Sequence, residues 1–416
     1  MTALTVTGAR LDDAVVGLRA VDGTITELGP GVASQAGDEH LDARGMAICP
    51  GLVNGHTHAA MTLLRGYGGD LPLMEWLQTR IWPAEAKLTG EDVYWGTRLA
   101  CLEMIRSGTT RFWDMYWHQH DVARAVLDAG IRSTVGQPIL EFDGAPEGAR
   151  PQDASEGLAR LRDEFGSRIT GSLSPHAIYT VSEDALRLVA DLSAAHDAPI
   201  HIHLAETRQE VTDCVAAHGC RPVEYLDRLG ALHERTIIAH GVWLEPDELA
   251  LVAERGATIV TNPSSNMKLA VGRAFPYPHA RDAGVAIGLG TDGAASNNAL
   301  DLLAEIKALA LLQKHASGDP AMLPAPDAWD IVTGRHAPAL GATPLEVGEP
   351  CDFLLVDMER PELVPAPFLD AAVYSGAGPS VDTVVVDGRV LMRDRHVEGV
   401  PEVLARVRET AERVRR

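Results

Sequence analysis

The chain has 416 residues and a formal net charge of −22 at pH 7. That charge excludes a nucleic-acid or anionic-membrane surface, both of which need positive potential, but leaves a small nucleoside or base open as a ligand. The five cysteines form no CxxC pair and no even-numbered disulfide framework, the start lacks the basic and apolar blocks of a signal peptide, and no apolar run approaches the ~20 residues of a membrane span, so a cytoplasmic protein is expected.

Residues 4–30 read as short strands. Leu4, Val6, Val16 and Leu18 alternate, and Asp22-Gly23 marks a hairpin turn before Thr24. The far end reads the same way, with an apolar run from Phe353 to Val356 and a second hairpin signal at Asp387-Gly388. Neither end alone offers enough strands to bury a face, which predicts one β-sandwich-like domain built from both termini, residues 1–54 plus 346–416. Val403, Val407, Thr410 and Val414 have helical spacing and predict an amphipathic terminal helix.

Between these ends, residues 55–345 alternate apolar runs with longer helical patterns. The runs are 46–53, 109–114, 131–135, 169–174, 199–203, 236–240, 257–261 and 285–290, with helices predicted near 91–106, 119–129, 182–197, 207–216 and 245–254. Repeated βα units call for a parallel sheet, and eight of them for a closed (β/α)8 barrel of the TIM type, an α/β fold. A doubly wound open sheet is the runner-up. No GxGxxG follows any strand, so dinucleotide binding has no support.

The polar residues gather where these runs stop. His56 and His58 are two apart, so they share a face of extended backbone. The fifth run ends in His203 and, three residues on, Glu206; the sixth ends in His240; the eighth in Asp292. In a barrel these ends converge on one mouth. His56, His58, His203 and Asp292 then make a shell of three nitrogens and one oxygen, which suits zinc, with iron or manganese as alternatives. The fourth run ends in Ser174-Pro175-His176 and offers no lysine that could be carboxylated to bridge a second ion, so one metal is expected. A divalent ion there lowers the pKa of a bound water towards neutrality. Asp292 can take a proton as well as ligate, Glu206 can carry one to the substrate, and His240 can hydrogen-bond the attacking oxygen. Such a set adds water to an electron-poor ring carbon and expels a leaving group.

Three stretches carry a family resemblance: Pro50-Gly51-Leu52-Val53-Asn54-Gly55-His56-Thr57-His58, His201-Ile202-His203-Leu204-Ala205-Glu206-Thr207 and Gly290-Thr291-Asp292-Gly293-Ala294-Ala295-Ser296-Asn297-Asn298. With Met61 to Gly66 and Asn262 to Leu269 they resemble the amidohydrolase superfamily, in its cytosine/guanine deaminase and chlorohydrolase-related branch. The group most similar is that of the 5'-methylthioadenosine/S-adenosylhomocysteine deaminases. The resemblance implies zinc, or sometimes iron, on His56, His58, His203 and Asp292, a proton shuttle at Glu206, and His240 beside the hydrolytic water. It implies that Glu85 binds ribose hydroxyls, Trp76 packs near the substrate and His176 contacts the nucleoside side of the pocket. It also implies a homodimer or homotetramer. Where relatives are expected to hold a homocysteine carboxylate with arginine, this chain has Gln137, with Arg150 as a substitute. The Gly/Pro-rich loop 141–158 is expected to cover the mouth.

The implied reaction is hydrolytic deamination of the adenine 6-amino group of 5'-methylthioadenosine, adenosine, 5'-deoxyadenosine or S-adenosylhomocysteine. The alternatives that share the site are deaminases or chlorohydrolases of guanine, oxidised purines, pterins or triazines, for which Glu85 would have no ribose to hold. A non-catalytic metal-binding scaffold is the reading from a different class.

Overall fold

The computed structural model describes residues 2–141, 149–375 and 378–415. Eight barrel strands are present. Leu52–Thr57, Thr109–Met115, Arg132–Gly136 and Ile169–Gly171 pair in parallel in that order, as do Ile200–Leu204, Thr236–His240, Thr258–Thr261 and Ala286–Leu289. Parallel bridges Leu173–Ile200 and Ala177–His203 join the fourth strand to the fifth. On the other side Asp292 N donates to His56 O at 3.0 Å, and the Asn54 carboxamide accepts from Thr291 N at 3.1 Å, so the eighth strand meets the first. That closure requires Gly290, where an added Cβ would stand 2.3 Å from Asn262 Oδ1 and 2.8 Å from His56 O. Strands covered on both faces are buried throughout, which is why they read as unbroken apolar runs.

Three of the connecting helices begin at side-chain caps written in the sequence. Thr89 and Asp92 form a capping box at the start of Gly90–Arg106, Ser182 caps Glu183–His196, and Thr207 caps Arg208–His218. Gln119–Ala129 and Pro246–Arg255 complete the predicted set. No described helix is long and apolar enough to cross a membrane.

Two expectations change. The run expected as the first barrel strand divides at Pro50-Gly51. Met46–Pro50 pairs antiparallel with Phe353–Asp357 in the small domain, and only Leu52–Thr57 enters the barrel. Proline has no N–H to continue a ladder, and a Cβ on Gly51 would lie 1.9 Å from Thr110 Oγ1, so the chain turns from one sheet into the other there. The β-sandwich-like small domain is built from both termini as expected, and its layers belong to one continuous mixed, eight-stranded sheet. It folds back on itself, with Ile25 N donating to Glu349 O and Cys351 N to Gly23 O, so Leu18, Ile25, Phe353 and Val385 share one core. The alternate residues Leu354, Val356 and Val384 face the other way into the barrel's core, as the two-residue strand period dictates. The loop 141–158 contains helix Pro151–Phe165, and its segment 142–148 lies outside the described residues.

The terminal helix Val400–Val414 buries Val403, Val407, Thr410 and Val414. It lies against Gly90–Arg106, where Arg413 pairs with Asp92 at 2.5 Å.

Candidate metal centre and active site

The histidines His56, His58, His203 and His240 and the carboxylate Asp292 stand together at the C-terminal ends of the first, fifth, sixth and eighth strands. In two combinations, His56–His58–His203 and His56–His240–Asp292, the ligand atoms lie within 4.8 Å of one another. Two of these strand-end residues have left-handed backbones, His240 at φ 73° and Asp292 at φ 58°. L-residues adopt that region at a cost, and such conformations cluster at functional sites.

The ring contacts assign the nitrogen that faces the centre. His58 Nδ1 points at Met115 O at 2.6 Å and His203 Nδ1 at His176 O at 2.7 Å, so in each neutral ring Nδ1 carries the proton and Nε2 the lone pair. His56 Nδ1 faces His201 Nε2 at 2.8 Å, while its own Nε2 is buried without a hydrogen-bond partner. His58 Nε2 lies 3.2 Å from His203 Nε2 and 3.2 Å from Asp292 Oδ1, and His56 Nε2 is 3.5 Å from the same oxygen. Three lone pairs and one carboxylate oxygen thus converge, with their far sides already held by the protein. This donor set fits one tetrahedral zinc, and it is a divalent-metal site.

Burial lowers His56 to about 4 and holds His203 well below the usual histidine range. Burial would lower His58 too, but Asp292 beside it outweighs that and raises it to about 9. Burial works against the Asp292 anion as well, yet His56 and His58 keep it well below the carboxylate range. Its other oxygen accepts from Ser265 Oγ at 2.5 Å and Ser296 Oγ at 2.9 Å.

Beside this cluster Glu206 is buried, with Oε2 3.9 Å from His240 Nε2. Burial raises its pKa and so favours the protonated acid. His240 Nδ1 contacts Asn266 Oδ1 at 2.8 Å, which leaves Nε2 facing the cleft. The cleft spans about 660 Å³ of space, part of it open to solvent. It is lined by Trp76, Glu85 and His176 as well as by Glu206, His240 and Asp292. Among the described residues Gln137 and Arg150 do not line it. Gln137 N donates to Gln119 Oε1 at 3.3 Å, and Arg150 is exposed at the start of helix Pro151–Phe165.

Several lining residues carried no signal in the sequence. Trp117 Nε1 donates to Glu85 Oε2 at 3.3 Å, and Tyr116 lies beside the same carboxylate. Glu85 Oε1 has no hydrogen-bond partner, and burial raises its pKa. Leu73, Leu77, Trp82, Leu140 and Leu269 form an apolar wall, and none of the described lining residues is lysine or arginine. Trp117 follows the second strand directly, so a search of every strand end would have found it. The leucines reach the cleft only through tertiary packing.

A model of the family described as amidohydrolase matches residues 47–391. A 5'-deoxyadenosine deaminase of Methanospirillum hungatei is 46% identical over 398 residues, covering 94% of this chain and 88% of the relative. A 5-methylthioadenosine/S-adenosylhomocysteine deaminase of Desulforudis audaxviator is 44% identical over 384 residues, covering 91% and 89%. Among solved structures, an adenosine deaminase from Xanthomonas campestris with bound zinc superposes with a TM-score of 0.93 at 34% identity, covering 100% of this chain and 99% of that one.

Proposed function

Because the chain belongs to the amidohydrolase family, we propose that it is a metal-dependent deaminase that releases the 6-amino group of an adenine nucleoside as ammonia. The observation that carries this reading is Glu206, a buried acid beside His240 at the edge of a convergent His56–His58–His203–Asp292 centre.

A divalent ion held by those four residues, zinc by its donor set and iron as second choice, supplies Lewis acidity that makes water nucleophilic near neutral pH. His240 orients that water through Nε2, its Nδ1 being engaged by Asn266. Glu206 gives its proton to ring N1 as the water oxygen bonds to C6. Asp292 takes one proton from the water and passes it to the amino nitrogen. The C6–N bond breaks, ammonia leaves, and the C6 hydroxyl proton returns to Glu206 as the carbonyl forms. Both carboxyl groups end as they began.

At the other end of the cleft Glu85 accepts ribose hydroxyls on Oε1 while Trp117 steadies Oε2. Trp76 and the leucine wall receive the 5' substituent. A wall without a described cation favours 5'-deoxyadenosine and 5'-methylthioadenosine over S-adenosylhomocysteine, whose carboxylate would be desolvated there unpaired. An ammonia-release panel over these nucleosides, adenosine, guanine, a pterin and a triazine tests the reading. The 5'-deoxy and 5'-methylthio nucleosides should give the highest kcat/KM. Preferred turnover of guanine or a triazine would overturn it.

A further inference from the structure

Glu206 is delivered by a turn that the sheet does not hold. After the fifth strand ends at Leu204, Ala205 takes a left-handed backbone at φ 52°. The carbonyls there are used by the next strand's end, with Gly241 N donating to Leu204 O at 3.1 Å and Trp243 N to Ala205 O at 2.7 Å. The amides of Ala205 and Glu206 go elsewhere. Ala205 N donates to Glu210 Oε1 at 2.7 Å, and Glu206 N to Glu210 Oε2 at 2.9 Å. Glu210 itself is 5% exposed.

Helix capping does not account for this arrangement. Thr207 already caps helix Arg208–His218, accepting from Glu210 N at 3.2 Å. Thr207 and Glu210 have the spacing of a capping box, in which the carboxylate turns back to the cap residue's own amide. Here the carboxylate acts on the Thr207 amide and also reaches further back, with hydrogen bonds to the two residues that set the direction of Glu206. A buried carboxylate is costly, and burial pushes Glu210 up to about 8; no lysine or arginine among the described residues counters this, and the backbone amides offset it only in part.

We infer that Glu210 is a positioning residue, whose carboxylate clamps the left-handed turn at Ala205 and thereby holds Glu206 at the substrate ring. The inference rests on the deaminase reading, and in particular on Glu206 as the proton carrier. A misplacement of about 1 Å in a reacting group can cost ~10²-fold in rate. Glu210→Ala should therefore lower kcat by about 10–100-fold, with KM and metal content close to wild type. Glu210→Gln, which keeps the shape and one acceptor, should fall between.

Two further measurements separate positioning from folding. Ala205→Gly in the Glu210→Ala background should restore several-fold of the lost kcat, because glycine adopts φ 52° without steric penalty. In a Glu206→Gln background, Glu210→Gln should change the residual kcat by less than about twofold, because a clamp acts only through what it holds. Additive losses in that background, loss of metal with Glu210→Gln, or full kcat in Glu210→Ala would each overturn the inference. Full activity in Glu206→Gln alone would instead overturn the reading on which it rests.

Discussion

At the N-terminal end of the barrel, Arg132 Nε donates to Asp352 Oδ2 at 2.6 Å and its NH2 reaches Asp387. Asp387 also pairs with Arg168 at 2.7 Å, and Asp352 accepts from Asp387 N at 2.7 Å. At the C-terminal end, His56 Nε2 and Glu85 Oε1 are buried with no hydrogen-bond partner among the described residues, where Glu206 has no ion partner nearer than His240 Nε2 at 3.9 Å. Both ends bury charge, but the first joins two domains in opposed pairs, with Arg111 Nε and Thr109 Oγ1 unpartnered among the described residues. The second leaves buried polar atoms beside an open cleft, with Glu85 only partly engaged by Trp117 and Tyr116. The difference distinguishes charge that holds the fold from charge that waits for a ligand.

Removing the metal should break the mouth most completely. Dialysis against a chelator is expected to abolish ammonia release and lower Tm, with both restored by zinc, since an ion bound only by the folded state stabilises it. Activity that survives removal would sink the metal assignment. Glu206→Gln comes next, with kcat reduced by ~10²–10⁴-fold. Its Tm should stay level or rise, because a buried carboxyl group that burial already disfavours as an anion is replaced by a neutral amide of the same shape. A fall in Tm alongside the rate would mean that the mouth also carries stability.

The opposite end should respond the opposite way. Arg132→Leu strands the buried Asp352 without its cation, while Asp387 keeps Arg168, and is expected to cost about 3–5 kcal/mol in denaturant unfolding. The kcat/KM per folded molecule should be unchanged. A specific loss of kcat would show that the two ends are coupled and that the contrast between them is false.

The same contrast explains what could be read before the fold was known. Apolar runs ending in His203, His240 and Asp292 are legible because a parallel barrel brings every strand's C-terminal end to one mouth. The helix caps at Thr89, Ser182 and Thr207 are local and equally legible. The Arg132–Asp352 pair spans 220 positions, and nothing local marks either residue. Trp117 beside Glu85 and Ser265 beside Asp292 are legible only as residues near a motif, because their contacts depend on how distant loops meet. Pro50-Gly51 is a local break signal within the run 46–53, but its meaning, a change of sheet, depends on the strand at Phe353–Asp357 as partner.

His201 lies between the two kinds of charge. It is buried beneath His56, with Nε2 at 2.8 Å from His56 Nδ1 and its own Nδ1 without a partner. Removing a group that orients a metal-binding histidine usually weakens metal affinity by ~10–100-fold. His201→Leu should do so in a competitive zinc titration, with the loss of activity recovered at excess zinc. Unchanged affinity would assign His201 to packing against Trp113 instead.

Glu85→Gln should give the smallest effect and the one that bears most on the substrate. The amide keeps the side chain's shape, and Trp117 Nε1 can still donate to its carbonyl oxygen. What is lost is the charge that strengthens a ribose hydroxyl's hydrogen bond, a difference of about 1.4 kcal/mol or tenfold in kcat/KM. That loss should appear with 5'-deoxyadenosine and vanish with its 2',3'-dideoxy analogue, which has no hydroxyls to present. An equal loss on both compounds would place Glu85 in the architecture of the cleft, and the unpartnered Oε1 would then have to be explained without a ribose.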